Sequence, residues 1–88
     1  MHPQFAQLTV QWLYRAYIYT GSIGEFRYRY DIDRKNRQVH VAIYSHYCYE
    51  VATDTVYQDF NWDEEGVQQL QQWMQQQLEH FQATGSIQ

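Results

Sequence analysis

From Glu25 to Phe60 the chain alternates apolar and polar residues almost without a break. Phe26, Tyr28, Tyr30 and Ile32 take the even positions, with Arg27, Arg29, Asp31 and Asp33 between them. After a polar gap, Val39, Val41, Ile43, Tyr47, Tyr49 and Val51 take the odd positions, interrupted only by Ser45. A period of two is that of strands with one face packed and the other wet. Arg34-Lys35-Asn36-Arg37 reads as a hairpin loop. With Asp33 opposite Gln38, Ile32 faces Val39, Tyr30 faces Val41 and Tyr28 faces Ile43 on the packed side. On the other side Asp31 meets His40, Arg27 meets Tyr44 and Glu25 meets His46. A slip of one residue would set apolar against polar throughout, so this register is strongly specified. Ala52 to Thr55 reads as a further turn. The strand that follows it to Phe60 is predicted to pair Val51 with Val56, Tyr47 with Phe60, Cys48 with Asp59 and Glu50 with Tyr57.

The sheet region, 25–60, is flanked by segments of helical period. In the first, 2–20, Phe5, Leu8, Trp12, Ala16 and Tyr19 follow a three-four spacing, widened by Val10, Leu13 and Tyr17. Pro3 suits a first helical turn and Gly21 a left-handed stop, so Gly21 to Gly24 is read as a turn. The aromatic and β-branched run of 12–20 also leaves a strand open there. In the second, 63–82, Val67, Leu70, Trp73, Met74, Leu78 and Phe81 trace one face, and eight glutamines between Gln68 and Gln82 cover the rest. Asp63, Glu64 and Glu65 suit the positive end of a helix dipole. Asp63 as N-cap gives a hydrophobic staple of Trp62 and Val67; Asn61 as N-cap gives a capping box with Glu64. Residues 83–88 read as a frayed tail. The expectation is a single α+β domain over 1–88: a two-layer sandwich in α-β-β-β-α order, with a three-stranded antiparallel sheet and two helices on one face.

That order matches the double-stranded-RNA-binding domain, and the resemblance is one of topology. The family grips phosphates with basic residues at the start of its last helix, where this chain has Asp63, Glu64 and Glu65. Carboxylates there would repel the backbone, so duplex RNA binding in that mode is excluded. The aromatic ribonucleoprotein signature of RRM domains is absent as well.

Composition adds an aromatic excess: 18% of the 88 residues, with nine tyrosines. Tyrosine suits sheets and is enriched at interfaces, and a chain this short buries only about 60% of its unfolded surface, so self-association is expected. A single cysteine rules out an internal disulfide. With no leader pattern and no long apolar run, the expected location is cytoplasmic, with no membrane partner.

The net charge of −4 hides a segregation, since five of the six basic residues fall between Arg27 and Arg37. The residues singled out for an interaction surface are Arg27, Arg29, Arg34, Lys35, Arg37, His40, Tyr44, His46 and Tyr57. A protein partner, or a second copy in a homodimer, is the favoured occupant. Single-stranded nucleic acid on the Arg/Tyr face and the basic hairpin 27–37 is the alternative, because such proteins combine positive charge with stacking rings. His46 and Cys48 share a strand face, as a metal pair or a Cys–His pair would, but no ligand spacing or triad accompanies them. No metal, cofactor or catalytic residue is therefore expected, and an enzyme is not. The glutamines of the last helix are read as a solvated surface.

Overall fold

The stretch Thr9 to Tyr17 decides the first half of the fold. A computed structural model describes residues 1–45 and 55–87. In it the segment 2–20 divides into helix α1 (Pro3–Ala6), helix α2 (Val10–Ala16) and the start of strand β1 (Ile18–Ile23). Thr9 causes the division: its side chain accepts from Trp12 N at 3.0 Å, so it caps a new helix rather than continuing the old one. Tyr17 then ends α2 at φ 59° and ψ −68°, a conformation uncommon outside glycine. Its N–H still reaches Leu13 O at 3.1 Å, while its carbonyl already accepts from Ile32 N at 2.9 Å. The residue therefore belongs to the helix by one group and to the sheet by the other.

Strands β2 (Phe26–Asp33), β3 (Gln38–Tyr44) and β4 (Val56–Asn61) follow, then helix α3 (Glu64–Thr84). The described residues thus form three helices and a four-stranded antiparallel sheet in the order β1-β2-β3-β4. The α+β class stands, but the α-β-β-β-α order does not: 18–23, split between the first helix and a turn by the helical spacing, is a strand, the alternative that the β-branched run of 12–20 leaves open. Gly21 is accordingly no helix stop. It lies in β1 opposite Tyr28, and a Cβ there would sit 2.5 Å from the tyrosine hydroxyl. The turn is the two-residue loop Gly24-Glu25, with Gly24 at φ 61° in the place where a tight hairpin wants glycine.

The β2–β3 register is the one the alternation predicts, from Asp33 opposite Gln38 to Arg27 opposite Tyr44. The next pairing differs. β4 lies against the first part of β3, placing Phe60 opposite Val39, Asp59 opposite His40 and Tyr57 opposite Ala42. The predicted partners Tyr47, Cys48, Glu50 and Val51 lie outside the described residues, as does His46. Alternation alone could not choose between the two halves of the long apolar run, since a shift of eight residues preserves parity.

All three helices pack on the face carrying Phe26, Tyr28, Tyr30, Ile32, Val39, Val41 and Ile43. Phe5 of α1 meets Phe26 and Tyr28 edge-on, with ring centroids 6.4 and 5.9 Å apart, and Trp12 of α2 meets Tyr19 at 4.9 Å. Val67, Leu70, Met74 and Leu78 of α3 close the cluster. Full burial of one such side chain is worth about 1.5–3 kcal/mol. Asp63 is the N-cap of α3, accepting from Gly66 N at 2.6 Å. Gly85, at φ 74°, caps the far end, and Ile87 folds back into the core; the chain is therefore not frayed from residue 83. Two glutamines are more than solvated cover: Gln75 accepts from His2 N at 2.8 Å and Gln71 donates to Leu8 O at 2.8 Å, tying α1 to α3.

Candidate interaction surface

With the helices on one face, the side chains left over lie on the outer sheet face, at its edges and at the β2–β3 tip. The register sets the outer face in rows. One row runs Ile18, Asp31, His40, Asp59; the next Thr20, Arg29, Ala42, Tyr57; the next Ser22, Arg27, Tyr44. Charge is therefore banded, with two guanidinium groups beside an acidic row that Asp33 extends.

The predicted residues fare differently within these rows. Arg27 is turned to the backbone, donating to Ser45 O at 2.7 Å and Glu25 O at 3.3 Å. Tyr44 is only 4% exposed, which removes it as a stacking platform. Tyr57 is 63% exposed and shares its row with Arg29 across the small Ala42. His40 lies between carboxylates, its Nδ1 2.8 Å from Asp59 Oδ1 and its Nε2 3.5 Å from Asp33 Oδ2. The hydrogen bond that His40 donates to Asp59 raises the His40 pKa above its ordinary value, opposed by burial and supported by the charges of Asp59 and Asp33. Asp33 is held below the usual carboxylate range, chiefly by its hydrogen bonds from the Asn36 side chain and N–H and then by His40. Among the described residues no group of three or more His, Cys, Asp or Glu side chains is arranged to hold a metal. The His46–Cys48 pair lies outside them.

The tip arginines do not project freely. Arg34 donates to Tyr14 O at 2.9 Å, and its guanidinium lies 4.2 Å from the Tyr14 ring centroid and 4.8 Å from that of Tyr17. Tyr14 stacks on Trp62 at 5.7 Å with an interplanar angle of 10°, and Arg37 covers Trp62 at 5.4 Å. The order Arg37, Trp62, Tyr14, Arg34, Tyr17 is a ladder in which cations lie on rings at three contacts and the two rings Trp62 and Tyr14 stack on each other at the fourth. Lys35 stays exposed in the turn. The ladder leaves Tyr14 51% and Tyr17 49% exposed, next to Ile18 at 47%. Tyr14, Tyr17, Ile18 and Trp62 were not singled out from the sequence. Thr9 as a cap, and Ile23-Gly24-Glu25-Phe26 as a two-residue hairpin, were the signals that would have exposed the end of α2.

Buried tyrosines complete the account of the aromatic excess. Tyr28 donates to Gln4 Oε1 at 2.9 Å, and burial with Tyr19 nearby pushes its pKa up to about 12. Burial raises Tyr30 further, and its hydroxyl has no hydrogen-bond partner among the described residues. A groove of about 700 Å³ between Thr9 and the start of α3 is lined by Val10, Arg37, Asp63 and Gln68 among others, with charges of both signs. No helix among the described residues is long and apolar enough to cross a membrane. No protein-family model, curated protein or solved structure matches this chain.

Proposed function

We propose that this chain is a small non-enzymatic protein-interaction domain that self-associates through the end of the molecule formed by Tyr14, Tyr17, Ile18 and Arg34. The observation that carries the reading is Tyr17: a half-exposed ring on a backbone at φ 59°. Holding a non-glycine residue in so sparse a region costs about 1–3 kcal/mol. The ring repays part of this by lying against Arg34, which at an exposed position is worth only about 0.5–1 kcal/mol. Stability alone would therefore favour glycine. Aromatic and arginine side chains gathered beside exposed apolar surface are what protein interfaces use as anchors.

Tyr17→Gly separates the two roles. The variant is expected to unfold in urea at the wild-type midpoint or above it, yet to lose association measured by sedimentation velocity over a range of concentrations. A wild-type chain that remains monomeric throughout, or a Tyr17→Gly chain that associates as wild type does, would overturn the reading.

The alternative, single-stranded nucleic acid on the outer face, draws support from Arg29 and exposed Tyr57 in one row. Against it, Tyr44 is buried, Arg34 and Arg37 lie on rings, and Asp31, Asp33 and Asp59 border the arginines. Oligonucleotide binding at low salt that is lost in Tyr57→Ala would restore it.

A further inference from the structure

The geometry points to the free edge of β1 as the seat of self-association: we infer that it pairs antiparallel with β1 of a second copy, Ile18 opposite Thr20. This rests on the self-association proposed above and names its surface. The phase of the β1–β2 ladder follows from one bond, Ile32 N to Tyr17 O at 2.9 Å. Hydrogen-bonded pairs recur every second residue in an antiparallel ladder. Tyr19, Gly21 and Ile23 therefore turn their N–H and C=O groups toward β2, opposite Tyr30, Tyr28 and Phe26. Ile18, Thr20 and Ser22 turn theirs outward. The Ser22 carbonyl is covered, since Gln4 Nε2 donates to it at 3.3 Å. What remains is both groups of Ile18 and both of Thr20, with no protein partner among the described residues.

A two-fold axis at Tyr19 satisfies these four groups on each copy and leaves the Gln4–Ser22 contact undisturbed. Side chains agree with that register. It sets Ile18 beside Thr20 of the second copy on the outer face. It brings Tyr17, on the strand's exposed shoulder, level with Gly21 of the second copy, where no side chain stands. Charge also points to a second copy. β1 itself, Ile18–Ile23, carries none, while Arg15 precedes it and Glu25 follows it. Antiparallel pairing therefore draws the basic end of each copy toward the acidic end of the other. An edge without charge or proline is open to such pairing.

Hydrogen exchange of the full chain at low and high concentration, read beside sedimentation, tests the inference. The Ile18 and Thr20 amides should gain protection in step with the rise in mass, while those of Tyr19 and Gly21 are protected throughout. Thr20→Pro removes only an outward N–H, so it should keep the wild-type circular dichroism and sediment as a monomer; Thr20→Lys should do the same by placing charge on the edge. Association without protection of Ile18 and Thr20 would overturn the edge pairing and leave self-association standing. So would association of both variants as tight as that of the wild type. Protection that appears only when a different protein is added would give the edge to a foreign strand, and absence of any association would overturn edge and self-association together.

Discussion

The two edges of the sheet formed by the described residues are built on the same hydrogen-bonding logic and finished in opposite ways. On β4, Trp62 N donates to Arg37 O at 2.8 Å, which sets the phase and turns Tyr57, Asp59 and Asn61 outward. A carboxylate thus stands in the middle of that edge, a common guard against pairing. The strand also runs directly into a fastened corner: Trp62 Nε1 donates to Val10 O at 3.1 Å and its ring lies between Tyr14 and Arg37. β1 has no charge and begins at a strained tyrosine. The contrast teaches that the same open ladder can be closed by one aspartate and a corner, and that an edge lacking both is where association belongs.

The corner can be broken most severely at Gly66. In the first turn of α3 a Cβ at this position would collide with the backbone carbonyl of Asn61. Helix propensity alone favours alanine over glycine by about 1 kcal/mol. Here the obstacle is backbone at the junction of β4 and α3, which no rotamer change relieves. Gly66→Ala is expected to destabilise the chain by about 3 kcal/mol, at the upper end of overpacking costs. The urea midpoint measures it. A stabilised variant would show that the β4 corner is loose, and the contrast between the edges would fail.

Much of this was legible in the sequence, for identifiable reasons. The β2–β3 register could be read because one buried face and a four-residue loop leave it no alternative. The core face of α3 was equally plain, from Val67, Leu70, Met74 and Leu78 at helical spacing, while the sequence leaves its cap between Asn61 and Asp63, and the structure has Asp63. β1 is ambiguous in the sequence because Tyr17 and Tyr19 continue the helical stripe of Phe5, Leu8 and Trp12 while the β-branched run of 12–20 also allows a strand; Thr9 as a cap and the Tyr17 backbone break the stripe. The β4 pairing was hidden because parity cannot distinguish shifts by an even number of residues. The candidate surface was legible as a list of arginines and tyrosines, but not as a ladder. Its rings come from α2 and from the β4–α3 junction, far away in the chain, and two of the arginines singled out are spent holding them.

Arg37 offers a finer cut at the same corner. It sits at φ 55°, the left-handed region, as the last residue of the hairpin loop. A non-glycine residue there costs about 1 kcal/mol relative to glycine. Stacking on Trp62 returns about 0.5–1 kcal/mol. Arg37→Ala loses the stacking and keeps the strain, and should destabilise by about 0.5–1 kcal/mol. Arg37→Gly loses both and should unfold within about 0.5 kcal/mol of the wild type. Equal losses in the two variants would show that the backbone at this corner is unstrained.

The smallest expected effect concerns the charge on the β4 edge, and pH reads it. The His40 pKa is raised, first by the hydrogen bond with Asp59, so the folded chain holds the His40 proton more tightly than the unfolded chain does. That contribution is complete below the ordinary histidine value of about 6.5 and is lost as pH rises through the higher folded value. Asp33 has the opposite sense: its lowered pKa contributes above the ordinary carboxylate range and fades as pH falls through the folded value. Stability should therefore be flat between the two ranges and decline gently as pH rises above the ordinary histidine value, by an amount that the 41% exposure of the imidazole keeps small. Asp59→Asn removes the largest cause of the His40 shift and should flatten that decline. The same substitution takes the charge from the middle of β4. If charge is what closes that edge, the variant near neutral pH gains a second pairing surface, and two isologous edges on one molecule build open-ended assemblies rather than dimers. A variant with a flattened pH profile that still stops at the dimer would place the closure of β4 in the Trp62 corner instead of the aspartate.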